Sequence, residues 1–133
     1  MRTLQIGAKD SYVRVVEDKD VRMFAEVSGD HNPVHLDEEF AKKSMFGRRI
    51  AHGMISAGYI STVLGEKIPG QGTIYLGQTL SFKKPVFLGD TITTTAEVVE
   101  IVNPEKGIYK LKTECVNQRG EVVTTGEATV LYK

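Results

Sequence analysis

The sequence predicts an α+β domain in which one antiparallel sheet wraps a single buried helix. Two patterns carry this. No Asp, Glu, Lys or Arg occurs from Ile50 to Gly65, so a helix there has no charged face for water and has to be buried on nearly all sides. After Gly72 the texture changes to a period of two, the repeat of strands. Packing such a helix on such a sheet is one of the few ways both can bury their apolar surfaces.

In chain order, Tyr12 to Val16 is a candidate first strand. Asp18 to Val27 reads as a short helix with Val21, Phe24, Ala25 and Val27 turned inward, and Asp37 to Lys43 as another, opened by Asp37 and its neighbouring acids. In the charge-free helix, Met54, Ile55, Tyr59, Ile60, Val63 and Leu64 surround the wheel. Gly53, Ala57 and Ser61 recur at i, i+4 and i+8 as a stripe of small residues. Such a stripe suits either close packing against the sheet or the wall of a groove that admits something slender.

In Ile74 to Phe82, Ile74, Leu76, Leu80 and Phe82 share one face, and Tyr75, Thr79 and Ser81 the other. Val86 to Asp90 forms a turn into the long Thr- and Val-rich strand Thr91 to Ile101. Asn103-Pro104-Glu105-Lys106-Gly107 is a turn cluster. Tyr109, Leu111, Thr113 and Cys115 then alternate with Lys110, Lys112 and Glu114, a strand with one wet face. Asn117-Gln118-Arg119-Gly120 turns the chain into a last strand, Glu121 to Leu131. The expected sheet is a four-strand meander with a fifth strand from the N-terminus. Its open edges and half-covered face predict a homodimer that extends the sheet.

The chain has 133 residues, 41% hydrophobic and 26% charged, with no repeat, low-complexity tract or linker. That suits one domain over residues 1–133, with a core formed by burying about two thirds of the unfolded surface. Lys+Arg and Asp+Glu both number 17, so no global basic field exists to hold nucleic acid. The single cysteine, Cys115, leaves no internal disulfide and suits a reducing compartment. The start, Met1 to Gly7, lacks the apolar stretch of a signal peptide. The charge-free stretch is shorter than the roughly 20 residues a bilayer needs. A cytoplasmic location without membrane attachment is expected.

Side chains of catalytic type gather in Ser28-Gly29-Asp30-His31-Asn32-Pro33-Val34-His35. Gly, Asp, Asn and Pro are ordinary turn formers, and a plain turn in which Asp30 bonds nearby amides is one reading. The other is acid–base chemistry, because two imidazoles and a carboxylate fall within six residues at an apolar boundary formed by Val27 and Val34. Zinc on His31 and His35 at i, i+4 is disfavoured by Pro33 between them, which prevents a regular helix through both. Ser28, Ser56 and Ser61 lack a nucleophile elbow, Cys115 lies mid-strand, and Gly70-Gln71-Gly72 lacks the Lys of a phosphate loop. The basic pairs Lys42-Lys43, Arg48-Arg49 and Lys83-Lys84 either solvate the surface or meet the phosphates of an anionic tail.

Phe24 to His35, with Ala41 after it, resembles the hydratase 2 motif of the MaoC-like (R)-specific enoyl-CoA hydratases. Ile50-Ala51-His52-Gly53-Met54 resembles the start of that family's central helix, and Ile74 to Phe82 its following strand. The likeness runs in order from about Asp18 to Asp90. It implies a hot-dog fold, an antiparallel sheet wrapped around a long central helix, dimerised into one continuous sheet. It also implies reversible syn hydration of trans-2-enoyl-CoA to (R)-3-hydroxyacyl-CoA, in fatty-acid metabolism or polyhydroxyalkanoate supply. No metal or redox cofactor is implied, and CoA enters only as part of the substrate.

By the same resemblance Asp30 and His35 hold the catalytic water. Asp30 is the base, and His35 either gives a proton to Cα or orients the water. The backbone N–H of Gly53 meets the thioester carbonyl, Ser61 hydrogen-bonds within the site, and Asn32 fixes the turn that presents Asp30. His52 is expected only to pack or cap. The main competitor is a (3R)-hydroxyacyl-acyl-carrier-protein dehydratase, which uses the same residues in reverse; the neutral charge balance leans toward CoA. A thioesterase is disfavoured by the lack of an acid from Ile50 to Gly65. A non-catalytic acyl-thioester-binding domain would not need the Asp30, His35 and Gly53 set.

Overall fold

The charge-free stretch does form the helix around which the chain is organised. In the computed structural model, which describes residues 4–133, α4 spans Gly53–Glu66 and turns Ile55, Ser56, Tyr59, Ile60, Val63 and Leu64 into the core. They pack against Ile92, Ala96, Val98, Leu111, Cys115, Val123, Ala128 and Val130 from the sheet. The opposite side of α4 is open: Gly53, Gly58 and Ser61 are exposed and Met54 is 52% exposed. The helix is therefore buried along one side rather than on nearly all sides. The stripe of Gly53, Ala57 and Ser61 lies toward the open side, away from the sheet.

The other elements are β1 (Lys9–Val15), α1 (Asp18–Ser28), α2 (Pro33–Leu36), α3 (Glu38–Lys42), β2 (Ile74–Gln78), β3 (Ser81–Phe82), β4 (Thr91–Asn103), β5 (Ile108–Val116) and β6 (Val122–Leu131). The sheet order is β1-β4-β5-β6-β2, with β3 also on β6, and every pairing is antiparallel. β1 is the strand expected from the N-terminus, starting earlier at Lys9. Of the start that lacks an apolar leader stretch, Met1, Arg2 and Thr3 lie outside the described residues.

Two expectations about the sheet are corrected. The Ile74–Phe82 segment does not lie beside the strand that follows it; it crosses to the far side and pairs with β6. Only β4, β5 and β6 form a meander, because short turns at 104–107 and 117–120 link those three alone. The segment is also two strands: its register shifts between Tyr75 and Gly77 and pairing stops before Ser81. Its period-two pattern does not survive these breaks, and Ile74, Tyr75 and Leu76 are all exposed along the sheet edge.

α1 starts where Asp20 reaches back to accept the Glu17 N–H (3.0 Å) and takes the Arg14 guanidinium of β1 (2.7 Å). Burial of Val21 and Ala25 seats it on the core. Val27, read as inward, is 83% exposed; it falls half a turn from Ala25 and so points away from the core. Asp37 caps α3 by accepting the Phe40 N–H (3.1 Å), matching its expected role at that helix start. No helix among the described residues is long and apolar enough to cross a membrane.

Candidate active site

The cluster from Ser28 to His35 lies between α1 and α4. α1 ends at Gly29, whose φ of +83° suits a residue without Cβ and whose N–H closes on the Ala25 carbonyl (2.8 Å). The reversal is held locally: Ser28 Oγ accepts the Asp30 N–H (3.1 Å) and the Asp30 carboxylate accepts the Asn32 N–H (3.1 Å). Asn32 Oδ1 then accepts the Val34 N–H (3.3 Å) and caps α2, with Pro33 at its first position. The segment is thus a turn leading into one helical turn, which leaves Asp30 exposed and turns His35 inward to 8% exposure.

His35 Nδ1 lies 2.8 Å from the backbone carbonyl of Ile50. A carbonyl only accepts, so Nδ1 carries a hydrogen and the neutral ring presents Nε2 as a lone pair. Burial pushes the His35 pKa below the usual imidazole range. The nearby His52 adds to that, while the Ile50 carbonyl opposes it. His35 is therefore a neutral acceptor near pH 7. Its backbone is anchored by Arg49, whose Nε donates to the His35 carbonyl (2.7 Å) and whose Nη2 reaches Asp18 of α1 (2.5 Å). Arg49 holds the site together, and its guanidinium holds the Asp18 carboxyl below the usual range.

The residue that reading the sequence undervalued is His52. It is 3% exposed, stacks on His35 with ring centroids 3.9 Å apart, and its Nε2 lies 3.0 Å from the Asp30 carbonyl oxygen. Nothing in the sequence places it there except its position before Gly53. A carboxylate oxygen of Asp30 and one ring nitrogen each of His35 and His52 lie within 4.8 Å of one another. One water accepting and donating at about 2.7–3.0 Å can span such a gap. A shared metal fits poorly: ring lone pairs lie in the ring planes, and planes stacked at 29° do not converge on one ion. His31, the other imidazole of the cluster, is outside this group and faces Gly29 O and Glu26 (both 3.2 Å).

Beside His35 opens a cleft of about 470 Å³. Gly53, Met54 and Ser56 of α4 wall it with Phe82 and Val86, and Lys83 and Lys84 stand at its polar side. Asp30 lies outside this wall, on the exposed turn. Gly53 is the first residue of α4, so its N–H has no acceptor within the helix. A Cβ on Gly53 would stand 2.9 Å from the Phe82 ring, so glycine keeps both the amide and the ring in place. Ser61 does not line the cleft; it is exposed, eight residues and roughly 12 Å along α4 from Gly53.

The remaining candidates separate clearly. Cys115 is buried against Thr94 Oγ1 (3.3 Å) and the Ser56 carbonyl (3.8 Å), and burial pushes its thiol pKa up, which makes it a poor nucleophile. Lys42 pairs with Glu39 (3.4 Å), Arg48 lies over the Phe87 ring (3.9 Å) and Lys84 meets Glu121 (3.1 Å). Of the three basic pairs, only Lys83-Lys84 adjoins the cleft.

Residues 5–124 match the family described as MaoC like domain. The chain is 46% identical to an (R)-specific enoyl-CoA hydratase of Rhodospirillum rubrum, over 94% of this chain and 85% of that one. It is 35% identical to a mitochondrial 3-hydroxyacyl-[acyl-carrier-protein] dehydratase of Arabidopsis thaliana, over 96% and 77%. Its fold superposes on the (R)-hydratase from Aeromonas caviae involved in PHA biosynthesis with a TM-score of 0.95, at 42% identity and full coverage of both chains.

Proposed function

The chain belongs to the family of MaoC-like domains, and from that premise we propose that it is an (R)-specific enoyl-CoA hydratase, a hydro-lyase with the hot-dog fold. It adds water reversibly to trans-2-enoyl-CoA to form (R)-3-hydroxyacyl-CoA. One observation carries the site assignment: the Asp30 carboxylate and the His35 ring lie within water-bridging reach of each other, beside a cleft that also holds the first amide of α4.

In this reading, one water donates to the Asp30 carboxylate and to Nε2 of neutral His35. As its oxygen bonds to Cβ, one water proton passes into the Asp30–His35 pair and the π electrons move onto the thioester oxygen. The Gly53 N–H faces that oxygen, where the unsatisfied amide and the helix dipole both favour negative charge. The pair then returns the proton to Cα from the same side, which gives syn addition and restores both groups. His35 can give a proton to Cα only after receiving one, because its resting hydrogen is held on Nδ1 by Ile50. Asn32 supports the turn under Asp30. For Ser61 the assignment rests on the resemblance alone. Hydration changes no oxidation state, so the proposed chemistry needs no redox cofactor, and in this reading Asp30, His35 and the Gly53 N–H supply the proton transfer and charge stabilisation themselves.

Lys83, exposed beside the cleft, is the candidate for the phosphates of CoA. The exposed apolar edge of β2 supports a homodimer that continues the sheet. A cytoplasmic place in fatty-acid metabolism or polyhydroxyalkanoate precursor supply fits the same reading. The test is addition of crotonyl-CoA, following loss of the conjugated enoyl absorbance, with an (R)-specific 3-hydroxyacyl dehydrogenase to report the product's hand. Rapid loss with (R) product is expected. Inertness toward crotonyl-CoA and longer enoyl-CoA, with turnover of the same acyl groups on carrier protein, would instead make the chain a carrier-protein dehydratase.

A further inference from the structure

We propose that His52 is a positioning residue that holds the two halves of the active site in register: the Asp30–His35 pair on the turn after α1, and the carbonyl-binding end of α4 at Gly53. The inference rests on the hydratase reading above.

His52 touches all three parts at once. Its backbone is the N-cap of α4, immediately before Gly53. Its ring stacks on His35 at 3.9 Å between centroids and 29° between planes. Its Nε2 lies 3.0 Å from the Asp30 carbonyl oxygen, across 22 residues of sequence. That oxygen accepts, so Nε2 carries the hydrogen and the bond ties the turn bearing the carboxylate to the start of α4. Phe24 of α1 closes on the same ring, with centroids 4.7 Å apart.

Packing alone does not account for an imidazole here. The ring is 3% exposed and its Nδ1 is buried without a hydrogen-bond partner among the described residues. A buried acceptor left unpaired is destabilising, and an apolar ring of similar size would fill the space without it. What the imidazole brings and an apolar ring cannot is the N–H to the Asp30 carbonyl. Without it, Asp30 sits on an exposed turn braced, among the described residues, by its own neighbours Ser28 and Asn32. A misplacement of about 1 Å in a catalytic group costs on the order of 10²-fold in rate.

The experiment compares His52→Phe, which keeps a stacked ring but no donor, with His52→Gln, whose side-chain amide N–H can still reach the Asp30 carbonyl. Each is assayed with crotonyl-CoA beside the wild type, and each melting curve is recorded. The expected order of kcat is wild type, then His52→Gln, then His52→Phe. His52→Phe should lose about 10- to 100-fold in kcat, with KM within about threefold. A folded His52→Phe with kcat within about twofold of wild type overturns the proposal. So do equal losses in both variants that merely track the folded fraction. If neither variant folds, ¹⁵N NMR of the wild-type imidazoles decides. A neutral His52 with its hydrogen on Nε2 supports the tie to Asp30, and one with its hydrogen on Nδ1 overturns it. A wild type inert to enoyl-CoA of every length would instead sink the hydratase reading, while the tautomer measurement would still report on the tie.

Discussion

His35 donates from Nδ1 to the backbone carbonyl of Ile50 at 2.8 Å, and this one bond leaves Nε2 as the lone pair of the neutral ring. Ile50 lies just before α4, so the start of the central helix orients the imidazole packed beside it.

The first prediction concerns pH. Burial lowers the folded-state pKa of His35, so a proton binds it more tightly in the unfolded chain. The resulting stability is fully present above the unfolded value of about 6.5 and is lost as pH falls through the folded pKa. The acid limb of kcat/KM should follow the same titration, with its midpoint below about 6.5, because the proposed Asp30–His35 mechanism needs neutral Nε2. A pH–rate profile checks this. An acid limb centred above about 7 would contradict the neutral-acceptor role.

Replacing Asp30 by Asn removes the carboxylate but keeps an oxygen that can accept the Asn32 N–H. Turnover should fall by about 10²–10⁴-fold, while the melting temperature stays near wild type because the side chain is exposed. Steady-state rates and a thermal melt are sufficient. A folded Asp30→Asn enzyme with near wild-type turnover would refute the mechanism.

Gly53→Ala separates activity from stability. Alanine is the better helix former, yet its Cβ would stand 2.9 Å from the Phe82 ring and push that ring from its place beside the cleft. The expected result is a folded protein with kcat reduced by about 10-fold or more, because the amide proposed to face the thioester oxygen becomes crowded. Equal kcat values for the two proteins would remove Gly53 from the site.

Arg49→Met should cost stability. The change deletes the donor to the His35 carbonyl (2.7 Å) and the link to Asp18. A charge-assisted hydrogen bond is worth about 1.5–3 kcal/mol, and because Asp18 is half exposed the lower end of that range is expected. Urea unfolding measures it. A change below about 0.5 kcal/mol would mean Arg49 is only a surface cation.

The open edge of β2 carries Ile74 at 54% and Leu76 at 51% exposure. If two copies join there, Leu76→Asp should convert a dimer of wild-type chains into monomers, read by light scattering after gel filtration. An unchanged dimer would place the interface elsewhere, and a wild-type monomer would remove the proposal.

The elements legible in the sequence were those set by neighbours along the chain. The absence of charge from Ile50 to Gly65 marked α4, alternation marked β4 to β6, and Asp37 marked the start of α3. The turn chemistry of Asn32 and Pro33 also located the cluster that presents Asp30 and His35. What failed were inferences about what lies beside what. Alternation in Ile74 to Phe82 could not tell whether that segment would join β4 or β6, since both neighbours are compatible with the same pattern. Helical spacing could not show which side of α4 the sheet would take, so the expected burial on nearly all sides fails at Met54, which is 52% exposed.

The division at the site has the same cause. Residue types and local spacing placed a carboxylate and two imidazoles together on one turn, and the family resemblance picked out Asp30 and His35 among them. Only the tertiary structure decided that burial favours the neutral form of His35, that the Ile50 carbonyl fixes its tautomer, and that Arg49 ties the His35 carbonyl to Asp18. Only it brought His52 onto His35. Desolvation and long-range hydrogen bonds depend on which distant segments meet, and a pattern read along the chain contains no record of that meeting.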